Sequence, residues 1–286
     1  MKAILITLTL LVPVFSSSPD LVRATKLYRT TDYDGALHLL EQIPESKRDA
    51  ETILLTGKSL FMKGEFKKST ESFERAVQLE ATNSEYYHWL GRAYGRRAET
   101  SSFLTAPGLA SKARQNFEKA VQLDPRNGEA INDLFEYYKE APGILGGGLD
   151  KAQKLLNEIK DLDPAEYHFA LAQLAEKRND YGVAEQQLRR AIELAPRTIG
   201  RLIDLARFLA KRGRFSESEQ IFRQAEAIAP DEPKLLFARA STYIRANRNL
   251  EEARDLLKRY IDSPLTPDNP PREAARKLLS KAARSD

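Results

Sequence analysis

The chain has 286 residues, 42% apolar and 30% charged, and 45 bases against 41 acids give a net charge of +4. That balance excludes a disordered or polybasic chain, and the length suits two ordinary domains or one elongated array. The absence of cysteine excludes disulfides, thiolate metal sites and cysteine nucleophiles, and leaves only His38, His88 and His168 for imidazole chemistry.

In chain order, Met1 and Lys2 precede an apolar run over 3–15, interrupted by Pro13 and followed by Ser16, Ser17 and Ser18. One positive charge, a short apolar core and small residues form a secretory-signal pattern over 1–17, with cleavage expected after Ser16 or Ser17. The run is shorter than the roughly 20 apolar residues a spanning helix needs. The expectation is therefore an exported, periplasmic or envelope-associated protein with no membrane span in the mature chain. An uncleaved N-terminal anchor is the alternative. Freedom from cysteine fits export.

The remainder repeats itself. Segments 69–80 (STESFERAVQLE), 112–125 (KARQNFEKAVQLDP), 151–164 (KAQKLLNEIKDLDP), 183–196 (VAEQQLRRAIELAP) and 217–230 (ESEQIFRQAEAIAP) read almost alike. In each, a small residue, a large apolar residue four later and a small or apolar one three further share one helical face. Prolines end four of them, because proline continues a helix poorly. Pro125, Pro164, Pro196, Pro230 and Pro264 stand 39, 32, 34 and 34 residues apart, a base period of 34.

Another helix precedes each segment. Leu90-Gly91-Arg92-Ala93-Tyr94 sets its pattern, and Thr56-Gly57 with Leu60, Leu171-Ala172 with Ala175, and Leu205-Ala206 with Leu209 repeat it. The small residue permits close helix approach and the larger one fills the groove beside it. Turns at 63–66, 178–181 and 212–215 place glycine or asparagine where a left-handed cap is needed, with an aromatic behind it.

This pattern resembles the tetratricopeptide-repeat family. The resemblance is carried by Gly57, Leu60, Gly64, Phe66, Phe73 and Ala76 in one unit and by Leu90, Gly91, Tyr94, Ala113, Phe117, Ala120 and Pro125 in the next. Later units match through Ala172, Ala184, Leu188, Ala191 and Pro196, then Ala206, Phe222, Ala225 and Pro230. It covers nearly all of 20–264 and implies an all-α, right-handed superhelical solenoid of about seven helix pairs. Their expected positions are about 19–46, 50–82, 84–126, 128–164, 165–197, 199–231 and 233–263. The first is degenerate but keeps Tyr33, Ala36, Leu40 and Ile43. The segment 265–286 then forms a proline-rich turn and a capping helix over 272–284, apolar through Ala275, Leu278 and Leu279. The family is a scaffold with many partners, so the resemblance implies protein binding without naming the partner.

Two interruptions break the period. Ala76 to Ala120 spans 44 residues and Ala120 to Ile159 spans 39. The extra residues are expected as enlarged loops at 97–109 and 140–150, each containing Ala-Pro-Gly and an apolar residue. Adjacent repeats set equivalent turns side by side, so Phe103, Leu104, Pro107, Leu109, Pro142, Ile144 and Leu145 are expected to form one loop edge. It either packs on itself or serves as a partner-binding or assembly edge. Gly146-Gly147-Gly148 lacks the lysine–serine spacing of a phosphate-binding loop.

In this family the first helix of each pair lines the concave groove. Projection from the small residues puts His88, Trp89, Arg92 and Arg96 there in the third pair and Asn132, Asp133, Glu136 and Glu140 in the fourth. Asp204, Arg207, Lys211, Ser241 and Arg245 follow in the sixth and seventh. An arginine–tryptophan surface beside an acidic one would grip an extended peptide. The alternative is cross-repeat pairing of Arg92 and Arg96 with Glu136 and Glu140, with Trp89 in the core; such exposed pairs contribute about 0–1 kcal/mol. The lysine and asparagine set of the family's carboxylate clamp is not reproduced, so chaperone-tail binding is not expected. The basic stretch 189–214 is interleaved with acids and lacks stacked aromatics, which argues against nucleic acid.

No metalloprotease helix motif, nucleophile elbow or dinucleotide turn occurs. The expectation is a non-enzymatic scaffold or adaptor of the periplasm or envelope, with no catalytic residue, metal or cofactor. It binds a protein or peptide through His88, Trp89, Arg92, Arg96, Asn132, Glu136, Arg207 and Lys211, or through the loop edge. A small-ligand-binding transport component and a self-associating regulatory module, hence a homo-oligomer, are the alternatives.

Overall fold

The computed structural model describes residues 18–283, so the expected signal segment at 1–17 and Arg284 of the expected capping helix lie outside the described residues. Among the described residues there are fifteen α-helices, two short 3-10 turns and no strand. The helices come in pairs: α1 (Pro19–Arg29) with α2 (Tyr33–Gln42), α3 (Ala50–Met62) with α4 (Phe66–Leu79), and α5 (Ser84–Thr100) with α6 (Ala106–Leu123). They continue with α7 (Gly128–Glu140) and α8 (Leu149–Leu162), α9 (Pro164–Lys177) and α10 (Tyr181–Leu194), α11 (Ile199–Lys211) and α12 (Phe215–Ile228), and α13 (Pro233–Ala246) and α14 (Leu250–Asp262). A lone α15 (Arg272–Ala282) closes the array, an all-α right-handed superhelix.

The same local chemistry starts and stops these helices. First helices other than α11 open on a side-chain oxygen that accepts a backbone N–H, as Asp49 does from Thr52 at 2.8 Å, Asn127 from Ala130 at 3.0 Å and Asp163 from Ala165 at 2.8 Å. Five pairs turn through a left-handed residue, namely Thr31, Gly64, Asn179, Gly213 and Asn247, the last with left-handed Asn249 two residues on. In each the next N–H reaches back five residues, as from Glu65 to the Leu60 carbonyl at 3.0 Å and from Asp180 to that of Ala175 at 2.9 Å. Pro164 opens α9 at its first position instead of closing α8, which already ends at Leu162; proline suits that position because its N–H would be unpaired there.

The core runs as a spine between the layers. A methyl on Gly91 would sit 2.6 Å from the Phe117 ring, and one on Gly57 would meet Phe73 as closely, so glycine is what lets these rings in. Ala172, Ala206 and Ala240 hold the equivalent buried position in later pairs.

The first interruption is resolved differently from the expected loop. Residues 97–100 extend α5, and Ala106, Pro107 and Gly108 form the first turn of α6, so only Ser101–Thr105 connects them. Nothing in 97–100 breaks a helix, and proline is welcome in a first turn. The second interruption is a true loop: a 3-10 turn, Gly143–Leu145, then left-handed Gly146. The expected shared apolar ridge does not form, since Phe103, Leu104 and Ile144 are 88, 86 and 93% exposed. Pro107 and Pro142 are exposed, and Leu109 and Leu145 are half-buried. The loop instead lies on α6, where Gly146 abuts the Arg114 side chain and Tyr137 donates to the Leu145 carbonyl at 2.8 Å.

At the far end, Ala275 and Ala282 of α15 are buried on α13 and α14. Tyr260, wholly buried, donates to the Pro270 carbonyl. Arg272 donates to the carbonyls of Ile261 at 2.9 Å and Ser263 at 2.8 Å, and also reaches Thr31 of the first pair. The last segment of the solenoid thus touches its first turn.

Candidate functional site

First helices face one another along the superhelix, and ion pairs tie α3, α5, α7, α9 and α11 each to the next. Lys58 of α3 pairs with Glu85 of α5, and Arg92 of α5 lies 3.7 Å from Asp133 of α7. Lys177 of α9 lies 2.5 Å from Glu140 of α7, Arg201 of α11 pairs with Glu166 of α9, and Lys211 lies 3.1 Å from Glu176. Several of these partners stand 35 to 37 residues apart, about one repeat.

This ladder corrects the expected peptide anchor at the third pair. Trp89 is only 9% exposed; its ring packs edge-on against Phe61 at 5.5 Å and beside Phe73 at 5.9 Å. His88 is 2% exposed, with Nε2 2.7 Å from Asp133 Oδ2. Arg92 covers the Trp89 ring at 4.4 Å and the Phe61 ring at 5.4 Å. The reason is crowding: α5 contacts α3 and α7 besides its own partner, so the face expected in the groove is roofed by neighbours. Arg96 turns to Glu99 and the Phe66 ring, and Glu136 pairs with Lys139 at 2.7 Å. The expected pairing of Arg92 and Arg96 with Glu136 and Glu140 is therefore not the one formed. Asn132 is half-buried.

Open space lies in two other stretches of the groove. Toward the N-terminal end a cavity of about 690 Å³ has Leu21, Tyr28, Leu54, Leu55 and Tyr86 in its wall. Its rim carries Asp49, Glu51, Glu80 and Glu85 against Arg29 and Lys58, an excess of acid. Burial pushes the Tyr28 hydroxyl well above its usual range and Tyr86 up to about 12, so both are neutral donors at physiological pH.

Toward the C-terminal end a cavity of about 420 Å³ is walled by α7, α9, α11 and α13, with Leu188 of α10 below. Lys139, Lys177, Arg207, Lys211 and Arg245 line it against Glu140, Glu176 and Asp204, an excess of base. Phe169, Phe208 and Ala172 supply its apolar wall. Burial raises the Asp204 carboxyl to about 6, against the opposing pull of Arg201 and Arg207. The Arg207 charge is disfavoured by lost hydration and by Arg245, and supported by Asp204. Sequence reading placed Arg207, Lys211, Asp204 and Arg245 on this face, and the cavity brings them together. It missed Lys139, Lys177, Phe169 and the whole N-terminal cavity. The usable signal was opposite charge one repeat apart, as in Glu176 and Lys211.

Among the described residues no cluster of three or more histidine, aspartate or glutamate side chains could hold a metal ion, and no helix is long and apolar enough to cross a membrane.

Residues 146–198 and 175–240 match tetratricopeptide-repeat family profiles. No curated protein matches the chain by sequence. Among solved structures, a tetratricopeptide-repeat protein from Parabacteroides merdae is 14% identical over 92% of this chain and 97% of its own, with a TM-score of 0.58. A thermophilic TPR protein from Thermus thermophilus is 22% identical over 70% of this chain and 97% of its own, at 0.53. Yeast Tom70 is 18% identical over 93% of this chain and 54% of its own, at 0.63. At these identities the structural likenesses show the fold. With the paired helices, the left-handed turns and the profile matches over 146–240, the chain carries tetratricopeptide repeats and has the fold of tetratricopeptide-repeat proteins.

Proposed function

We propose that this protein is a non-enzymatic scaffold that binds a partner protein along its concave groove. One observation carries the reading: the groove stays open in two stretches lined by successive first helices, with cavities of about 690 and 420 Å³. Repeats of this family mediate protein–protein interaction, which supports a binding role. The rigid ladder of ion pairs supports a preformed surface, which lowers the ordering cost of binding. We extend the proposal to an exported protein working in the periplasm or envelope, supported by the signal-like pattern at 1–17 and the absence of cysteine.

Site-specific photocrosslinking in cells tests the groove. A crosslinking residue at Lys211, on the groove, is expected to trap a discrete partner; one at Arg223, exposed on α12, is not. Equal trapping at both, or trapping at Arg223 alone, would overturn the reading. Cell fractionation with sequencing of the mature N-terminus tests the location.

A further inference from the structure

Resting on the groove reading above, we propose that the α11–α13 end of the groove holds an acidic segment of the partner, whose carboxylates are gripped by Arg207 and Arg245 while an apolar side chain rests on Phe169.

The charges are the argument. Lys139, Lys177 and Lys211 of this cavity each have a carboxylate partner, in Glu136 at 2.7 Å, Glu140 at 2.5 Å and Glu176 at 3.1 Å. Among the described residues, Arg207 and Arg245 have no carboxylate within 4.0 Å. They come from α11 and α13, line the same cavity and act on each other as like charges. The two guanidinium groups repel each other in one cavity, and Asp204 offsets that repulsion for Arg207 without forming an ion pair with either arginine. A carboxylate from outside would convert the repulsion into charge-assisted, forked hydrogen bonds. Asp204 attracts Arg207 but lies 3.5 Å from Arg201 and is only 24% exposed, so it does not bridge Arg207 and Arg245.

The cavity also selects the carrier of the charge. Its wall is not only polar: Phe169 is half-exposed above buried Phe208 and Leu188. A bare anion would leave that surface wet, whereas a peptide segment covers it. The N-terminal stretch of the same groove carries the opposite excess, with four acids against two bases. An acidic segment is thus attracted to one end and repelled from the other, which fixes its register.

The test uses the full chain and a fluorescently labelled, capped peptide of alternating glutamate and leucine, read by anisotropy. The glutamate peptide is expected to bind at least about tenfold more tightly than its glutamine analogue. Arg207→Gln and Arg245→Gln are each expected to weaken it by about tenfold or more, and Lys211→Gln by less, because Lys211 is already paired. Circular dichroism should show all three variants folded, as these side chains lie on the surface. Equal binding of glutamate and glutamine peptides would overturn the proposal. So would unchanged affinity in both arginine variants. Competition by inorganic phosphate or succinate as effective as by the unlabelled peptide would also overturn it, leaving a simple anion site. If photocrosslinking still traps a partner at Lys211 while these arginines prove irrelevant, the groove reading stands and the acidic segment does not.

Discussion

Arg272 Nη1 donates to Thr31 Oγ1 at 3.2 Å, joining residues 241 positions apart. Thr31 sits at φ 64°, where the other pairs place Gly64, Asn179, Gly213 and Asn247. A β-branched residue in that region costs roughly 1–2 kcal/mol, and its hydroxyl is what meets the cap.

Thr31→Gly should therefore stabilise the first pair by about 1 kcal/mol while loosening the contact between the two ends. Thermal unfolding would rise slightly and the radius of gyration from small-angle scattering would grow. Arg272→Ala should expand the particle too, but with a lower melting temperature, because Arg272 also caps the carbonyls of Ile261 and Ser263. An unchanged radius in both variants would show that the end-to-end contact does not hold the superhelix closed.

Gly91 tests the spine of the core. Alanine in mid-helix ordinarily gains about 1 kcal/mol over glycine. Here the added methyl would lie 2.6 Å from the Phe117 ring, and overpacking costs about 1–3 kcal/mol. Gly91→Ala should lower the denaturant midpoint despite its better helix propensity. Trp89→Ala, which empties the neighbouring site, should cost about 3–5 kcal/mol. Trp89 is the single tryptophan, so its fluorescence reports unfolding at this junction directly.

Asp204 gives a pH signature. Its carboxyl is raised to about 6, chiefly by burial, above an ordinary value of 3.8. The folded state thus binds this proton more tightly than the unfolded state. Its contribution favours folding as pH falls from 7 through 6 toward 4 and opposes folding when the group is ionised. Asp204→Asn should be more stable than the parent by about 1–2 kcal/mol at pH 7.5, allowing for partial exposure, and nearly equal to it at pH 4.5. A stability gap between the two proteins that widens on acidification would contradict the assignment.

Arg239 is the buried hub of the last pairs. It is 9% exposed and lies 2.7 Å from Glu252 and 3.3 Å from Glu226; it also meets Glu219, and its Nε donates to Tyr243 at 2.8 Å. Arg239→Met takes a partner from three carboxylates, of which Glu219 is the most buried and keeps Arg223 at 3.3 Å while Glu226 and Glu252 are partly exposed, and should cost about 1–3 kcal/mol in chemical denaturation. Adding Glu219→Leu should recover part of that loss, because the most buried of these charges goes with it. A double variant less stable than Arg239→Met would refute this coupling.

Pairing of helices, their 34-residue period and the glycine and asparagine turns were all legible from residue order. Each depends on neighbours within a turn or two: helical periodicity, the left-handed freedom of Gly64 or Asn179, and the small residue opposite Phe73 or Phe117. Projection onto a generic groove succeeded at α11 and α13, which present Arg207, Lys211 and Arg245 openly. It failed at α5, because Trp89 and His88 are covered by Phe61 of α3 and Asp133 of α7, helices that composition does not locate, and by Arg92 of α5 itself. The ten extra residues of the third pair read as a loop; packing let most of them lengthen α5 and α6. Which lysine finds which carboxylate, which arginines of the C-terminal cavity find none among the described residues, and how Arg272 reaches Thr31 depend on distances between helices one or more repeats apart. Those distances are set by how the pairs stack, and stacking is a sum of many weak contacts that no local segment encodes alone.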